Sequence, residues 1–141
     1  MSNFSDINLS KQLQKSIFDL GFEKQTPIQE ESYSKILSGT DIVGIAQTGT
    51  GKAAAFGLPV IQKTLLDNKF VQTIILCPTR ELCIQICKDL EKYSKYISSL
   101  KILSVYGGTN IETQIKSLNK GVHIVVGTPG RTKDLIKRKV L

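Results

Sequence analysis

Ala46-Gln47-Thr48-Gly49-Thr50-Gly51-Lys52 lies between an apolar run at residues 41–45 and an alanine-rich stretch that begins at Ala53. That order predicts a strand, a phosphate-cradling turn and the first turn of a helix. The glycine and small positions let the backbone curl so that successive N–H groups converge on an anion, and the helix that follows adds the positive end of its dipole. Lys52 supplies a mobile point charge for the outer phosphates and is the candidate catalytic residue. Two positions depart from the usual pattern. Ala46 replaces a glycine, and Ala53 stands where a Ser or Thr hydroxyl ordinarily ligates the Mg²⁺ that bridges the phosphates. A flexible Gly-Thr loop with a lone lysine is the competing explanation, and the flanking strand and helix signals argue against it.

At 141 residues the chain is long enough for one domain with a substantial core. Hydrophobic content of 40% and charged content of 22% are ordinary for a soluble globular protein, and no apolar run approaches the roughly 18 residues that span a bilayer. Met1-Ser2-Asn3-Phe4-Ser5-Asp6 has neither a basic nor an apolar leader segment, so no secretory signal is expected and cytoplasmic residence follows as the default. Cys77, Cys83 and Cys87 are too few for a disulfide framework and lack paired metal-ligand spacing. They are expected to be buried thiols, and no residue is assigned to a metal. His123 sits in the apolar run Val122-His123-Ile124-Val125-Val126 and is expected to be structural.

The net charge of +7 is unevenly placed. Residues 1–100 carry 11 basic and 10 acidic groups, whereas residues 101–141 carry 8 and 2. A basic flank suits a polyanion, although Lys137-Arg138-Lys139 also fits a solvated helix face. Nineteen basic residues include only three arginines, Arg80, Arg131 and Arg138, and the first two follow closely on a Thr and a Pro. A planar five-donor fork in such a turn suits a phosphate or a carboxylate.

Helical periodicity and caps predict helices over residues 10–20, 26–38, 52–66, 80–96, 110–118 and 130–141. Short β-rich runs at residues 41–46, 73–77, 101–106 and 122–126 alternate with them. Repeated strand–helix alternation implies right-handed crossovers and a parallel sheet flanked by helices, with ligands gathering at the carboxyl ends of the strands. Each candidate site segment falls at such an end: the loop through Lys52, then Pro78-Thr79-Arg80, Gly107-Gly108-Thr109 and Thr128-Pro129-Gly130-Arg131.

Gln29, in Thr26-Pro27-Ile28-Gln29, has two readings. It can reach back to cap the helix started by Thr26, or its amide can grip the edge of adenine. Phe4 can stack on that base or act as a staple against the core. Pro78-Thr79-Arg80 and Thr128-Pro129-Gly130-Arg131 each release a strand into a helix whose first N–H groups stand beside a hydroxyl and a guanidinium, which suits a phosphodiester. Gly107 and Gly108 would let backbone approach the same polymer. Plain helix capping is the alternative at both turns.

Phe4, Gly21-Phe22, Pro27-Ile28-Gln29, the loop from Ala46 to Lys52, Pro78-Thr79-Arg80-Glu81-Leu82, Gly107-Gly108 and Thr128-Pro129-Gly130-Arg131 together resemble the amino-terminal half of a DEAD-box ATP-dependent RNA helicase. The resemblance spans nearly the whole chain, and several spaced motifs in one order are far more specific than any of them alone. It implies an incomplete α/β, RecA-like P-loop domain, with adenine-recognition helices at residues 1–39 and a partial ATP- and RNA-binding domain at residues 40–141. It also implies that Phe4, Thr26 and Gln29 hold adenine, and that Gln47, Thr48, Gly49, Thr50, Gly51, Lys52 and Ala53 form the ATP and Mg²⁺ site. Pro78, Thr79, Arg80, Gly107, Gly108, Thr128, Pro129, Gly130 and Arg131 would contact the backbone of single-stranded RNA. The family's acidic motif and its carboxy-terminal RecA-like domain are expected beyond Leu141, so the resemblance implies little ATP hydrolysis by this chain alone. A non-hydrolysing RNA-binding or regulatory module is the alternative, favoured by Ala53. A DNA-directed helicase or another P-loop enzyme fits Phe4 and Gln29 less well.

Overall fold

The computed structural model describes all residues, 1–141. The chain forms two compact units, one comprising Met1–Thr64 and Asp89–Ser98, the other Leu65–Lys88 and Ser99–Leu141.

The first unit opens with a short 3-10 turn, Phe4–Asp6, followed by α1 (Lys11–Asp19), α2 (Pro27–Leu37) and α3 (Lys52–Lys63). Ser10 caps α1 by accepting the Leu13 N–H at 3.3 Å, and Leu13 and Ile17 form its buried stripe. Gly21, at φ +72°, ends it in the left-handed conformation that glycine adopts without penalty. Pro27 starts α2, where its missing N–H is no loss. The two helices α2 and α3 pack along each other. On another side of α3, Gly57 lets Leu90 approach so closely that an added Cβ would lie 2.8 Å from the Leu90 Cδ2.

The second unit is built on a parallel sheet of three strands, β1 (Thr73–Leu76), β2 (Ile102–Val105) and β3 (Ile124–Gly127), in the order β1-β3-β2. β3 is central, pairing Thr73 with Ile124 on one side and Ile102 with Ile124 on the other. Its sequence, Ile-Val-Val-Gly, is buried throughout, as a central parallel strand requires. The crossover helices are α4 (Arg80–Tyr93) and α5 (Ile111–Lys120), and α6 (Pro129–Lys137) follows β3. Val105, Val122, Val125 and Leu135 form the centre of the core, with Ile111, Ile115 and Leu118 of α5 packed against it.

One expected element is absent. Residues 41–46 form no strand, and Val43 and Ile45 are 93% and 92% exposed. The segment pairs with none of the three strands, and a lone segment cannot satisfy its backbone as a strand.

Candidate nucleotide and nucleic-acid sites

In the first unit, the loop that precedes α3 is held by its own groups. Gly49 and Gly51 lie at φ +81° and +78°, which orients the intervening amides and makes Gly51 the N-cap of α3. The Thr50 hydroxyl donates to the Gln47 carbonyl at 2.7 Å. Lys52 Nζ donates to the Ala46 carbonyl at 2.7 Å, so the ammonium folds back over the loop. Ala53, the second residue of α3, offers only a methyl group.

Gln29 is buried and bridges this loop to the start of α2. Its Oε1 accepts the Thr26 N–H at 2.9 Å, and its Nε2 donates to the Gly51 carbonyl at 3.1 Å. The capping alternative is therefore realised, and a second bond to the loop before α3 comes with it. A primary amide has two N–H donors and two oxygen lone pairs, so one of each is still available on Gln29. Beside it, Thr26 Oγ1 is buried and faces the Gln29 backbone N–H across the capping box, a contact too loose to be a full hydrogen bond. Buried polar atoms without a full hydrogen bond are uncommon and ask for a reason, and Ser32 Oγ in the same helix is another.

Phe4 is 5% exposed, its ring stacked on Phe22 with centroids 6.0 Å apart. The preceding strand-like stretch is pinned by the Phe4 N–H to the Glu23 carbonyl at 3.0 Å and by buried Gln25, whose Nε2 donates to Ser2 Oγ at 2.8 Å. Phe4 lines a groove of about 630 Å³ with Phe18 and Phe22, and neither Gln29 nor the loop before α3 lines that groove.

In the second unit, the carboxyl ends of the three strands gather the other candidate residues. Thr79 caps α4 by accepting the Leu82 N–H at 3.2 Å. Arg80 stands with its guanidinium carbon 4.9 Å from the centre of the Tyr106 ring, and an added Cβ at Gly108 would lie 3.4 Å from Arg80 Nη1. Gly108 has φ +82°, while Gly107 and Gly130 face open space. Thr128 precedes α6, with Pro129 at its first position. Its carbonyl accepts from the Thr132 hydroxyl at 2.8 Å. Arg131 donates from Nη1 and Nη2 to the Thr109 carbonyl, both at 3.2 Å, and from Nη1 to Gln114 Oε1 at 2.9 Å. Arg80 therefore stands over Tyr106 and beside Gly108, and Arg131 is tied to the residue that follows the glycine pair.

Sequence reasoning missed Tyr106 and Gln114. Gln114 had a signal: it occupies an apolar position in α5, in phase with Ile111 and Leu118, where a polar residue asks for a reason. Arg138, the third arginine, is engaged by Asp134 one turn earlier at 3.1 Å, an exposed pair worth little to stability.

His123 is structural in detail. Its Nδ1 accepts the Lys101 N–H at 3.0 Å, which places the ring proton on Nε2, 3.0 Å from the Leu66 carbonyl. The three cysteines are buried. Burial, then a hydrogen bond with Cys77 and the charges of Cys77 and Cys87, push the Cys83 thiol up to about 12, so it is no nucleophile near neutral pH. No group of three or more His, Cys, Asp or Glu side chains is arranged to hold a metal ion, and no helix is long and apolar enough to cross a membrane.

A glycine-turned loop opening a helix, a glutamine tied to it, and arginine–glycine turns at the ends of a parallel sheet occur here in one chain, and a family model for DEAD/DEAH box helicases matches residues 26–141. The chain belongs to that family. It is 49% identical over 138 residues to the DEAD-box ATP-dependent RNA helicase CshA of Streptococcus pneumoniae, covering 98% of this chain and 26% of that protein. Its identity to the ATP-dependent RNA helicase CshA of Listeria monocytogenes is 50% over 141 residues, covering all of this chain and 27% of that protein. The chain thus spans about a quarter of the length of these relatives. Among solved structures, a DEAD box protein from the hyperthermophile Methanococcus jannaschii superposes with a TM-score of 0.90 at 42% identity, over 99% of this chain and 38% of that one. A hypothetical ATP-dependent RNA helicase from Sulfolobus tokodaii does so with a TM-score of 0.81 at 31% identity, over 94% of this chain and 38% of that one.

Proposed function

We propose that this chain is the ATP- and RNA-gripping part of a cytoplasmic ATP-dependent RNA helicase that works with a second, carboxy-terminal RecA-like domain. The observation that carries this is the half-engaged amide of Gln29, which bonds the Thr26 N–H on one side and the Gly51 carbonyl on the other. One remaining donor and one remaining acceptor are what an adenine edge requires, since its ring nitrogen accepts and its amino group donates. Guanine presents a carbonyl where adenine presents the amino group, so the same amide favours ATP over GTP.

The residues of the loop fit phosphates. Amides of residues 47–53 would surround the anion, and Lys52 would exchange the Ala46 carbonyl for a phosphate oxygen. Bound ATP with Mg²⁺ supplies the cleavable terminal phosphoryl group. Ala53 gives the metal no oxygen, so in this chain the ion would be held by phosphate oxygens and water. Phe4, buried on Phe22 and lining a groove apart from Gln29 and the loop, has no part in this grip on the base. In the second unit, Pro78, Thr79 and Arg80, Gly107 and Gly108, and Thr128, Pro129, Gly130 and Arg131 would hold the sugar-phosphate backbone of single-stranded RNA without reading its bases.

The test is competition of ATP and GTP against a fluorescent ATP analogue on the intact chain. ATP is expected to displace the analogue at lower concentration than GTP, Lys52→Ala to abolish binding, and Gln29→Ala to erode the preference. Equal displacement by ATP and GTP, or no binding, overturns the assignment. Ala53 favours a second possibility, a module that binds nucleotide and RNA without turnover. RNA-stimulated phosphate release from a longer form that includes the second RecA-like domain would exclude it. In that form Ala53→Thr is expected to raise the rate severalfold at limiting Mg²⁺, and an unchanged rate would remove the hydroxyl from the account.

A further inference from the structure

We infer that Gln114 is a positioning residue for the polymer-gripping turns, setting both the Gly107-Gly108 turn and the free edge of the Arg131 guanidinium. This rests on the proposal that the second unit holds an RNA backbone.

Gln114 is 7% exposed and lies on the face of α5 whose neighbours Ile111 and Leu118 pack into the core. An amide in such a place destabilises the fold unless it is bonded. Its Nε2 donates to Thr109 Oγ1 at 3.0 Å and to the Tyr106 carbonyl at 3.4 Å, while its Oε1 accepts from Arg131 Nη1 at 2.9 Å. Thr109 closes the ring, its hydroxyl donating to the Tyr106 carbonyl at 3.1 Å and its own carbonyl accepting from both Nη atoms of Arg131. The residues on either side of Gly107-Gly108 are therefore fixed to one buried amide.

Arg131 has five N–H donors in a fixed plane, and three bonds to Gln114 and Thr109 occupy both on Nη1 and one on Nη2. The two that are left, on Nε and Nη2, share one edge of the plane. Two parallel donors on one edge are the arrangement that grips a phosphate bidentately. Gln114 thus holds the arginine by the edge that a ligand does not use.

The experiment measures binding of a fluorescent oligouridylate to the intact chain across a salt series. Wild type, Gln114→Met, Thr109→Val, Arg80→Ala, Arg131→Ala and the Gln114→Met/Arg131→Ala double variant are compared, each with its thermal unfolding. Gln114→Met is expected to weaken binding about ten-fold and to flatten the log–log salt slope by about 0.7 for each phosphate no longer neutralised. Its effect should shrink in the Arg131→Ala background, because the two act on the same phosphate. Thr109→Val should move in the same direction by less. A merely structural role lowers the folded fraction and leaves the slope alone, so a wild-type slope in Gln114→Met, or additive effects in the double variant, overturns the inference. If Gln114→Met does not fold, a wild-type slope in Thr109→Val does so. Absence of salt-dependent binding in the wild type removes the RNA proposal and this one together. Loss of binding in Arg80→Ala and Arg131→Ala with an unaffected Gln114→Met removes this one alone.

Discussion

The side-chain amide of Gln29 donates to the carbonyl oxygen of Gly51 at 3.1 Å, joining the first turn of α2 to the N-cap of α3. The contact exists because Gly51 has no side chain. A Cβ there would collide with the Gln29 amide, and φ +78° is unfavourable for any other residue. Gly51→Ala is therefore expected to destabilise the chain by about 1–3 kcal/mol through backbone strain. It should also weaken binding of an ATP analogue about ten-fold or more, equivalent to roughly 1.4 kcal/mol. Fluorescence titration beside urea denaturation separates the two effects, and wild-type affinity in a folded variant would show that the Gln29–Gly51 bond is no part of the nucleotide site.

Alkaline pH should destabilise the chain in a window set by two groups. Burial, the bond with Cys77 and the neighbouring thiol charges raise Cys83 from 9.0 to about 12, and burial with the charge of Asp89 raises Tyr93 from 10.0 to about 12. In the unfolded chain each group loses its proton at the lower value, and in the folded chain at the higher. Between them the unfolded state binds fewer protons, so stability is fully present below about 9 and falls as pH rises toward 12. Denaturation midpoints recorded from pH 7 to 11 should decline from about pH 9. Cys83→Ala should delay the onset into the Tyr93 window, and an identical pH profile in that variant would contradict the assignment.

Gly57→Ala sets two effects of opposite sign against each other. Alanine improves helix propensity by roughly 1 kcal/mol, whereas overpacking a filled interior costs about 1–3 kcal/mol. The methyl would lie 2.8 Å from Leu90 Cδ2 and 3.4 Å from the Tyr93 ring, and Leu90 is fully buried, so the steric term should win. A lower urea midpoint is expected, with the loss smaller when Leu90→Ala is already present. A gain in stability from Gly57→Ala alone would mean that Leu90 has room to move.

Much of this was legible in the sequence because local signals agreed with one another. Ser10 and Gly21 bracket α1, Pro27 starts α2, and the alternation from residue 73 onward gives the parallel sheet, with boundaries shifted by a few residues at frayed ends. Residues 41–46 failed for a reason that periodicity does not carry: strand character describes a side-chain pattern, while a strand also needs a partner. The site was legible as segments but not as connections. Nothing local shows that Gln29 serves the cap and the loop at once, or that Arg131 turns one edge inward, because both depend on bonds across 22 residues. Gln114 was visible only as a polar residue in an apolar phase, and its partners at Tyr106, Thr109 and Arg131 emerge once α5 is packed.

Val43 and Ile45 have a practical consequence for anyone concentrating this protein. Branched hydrocarbon held in water beside uncommitted amides is the raw material of intermolecular ladders, and copies of such a stretch can zip to one another as they crowd. Shelf life in the tube will then be governed by a handful of positions outside the proposed nucleotide and RNA contacts. A charge at Val43 should lengthen it without touching either one.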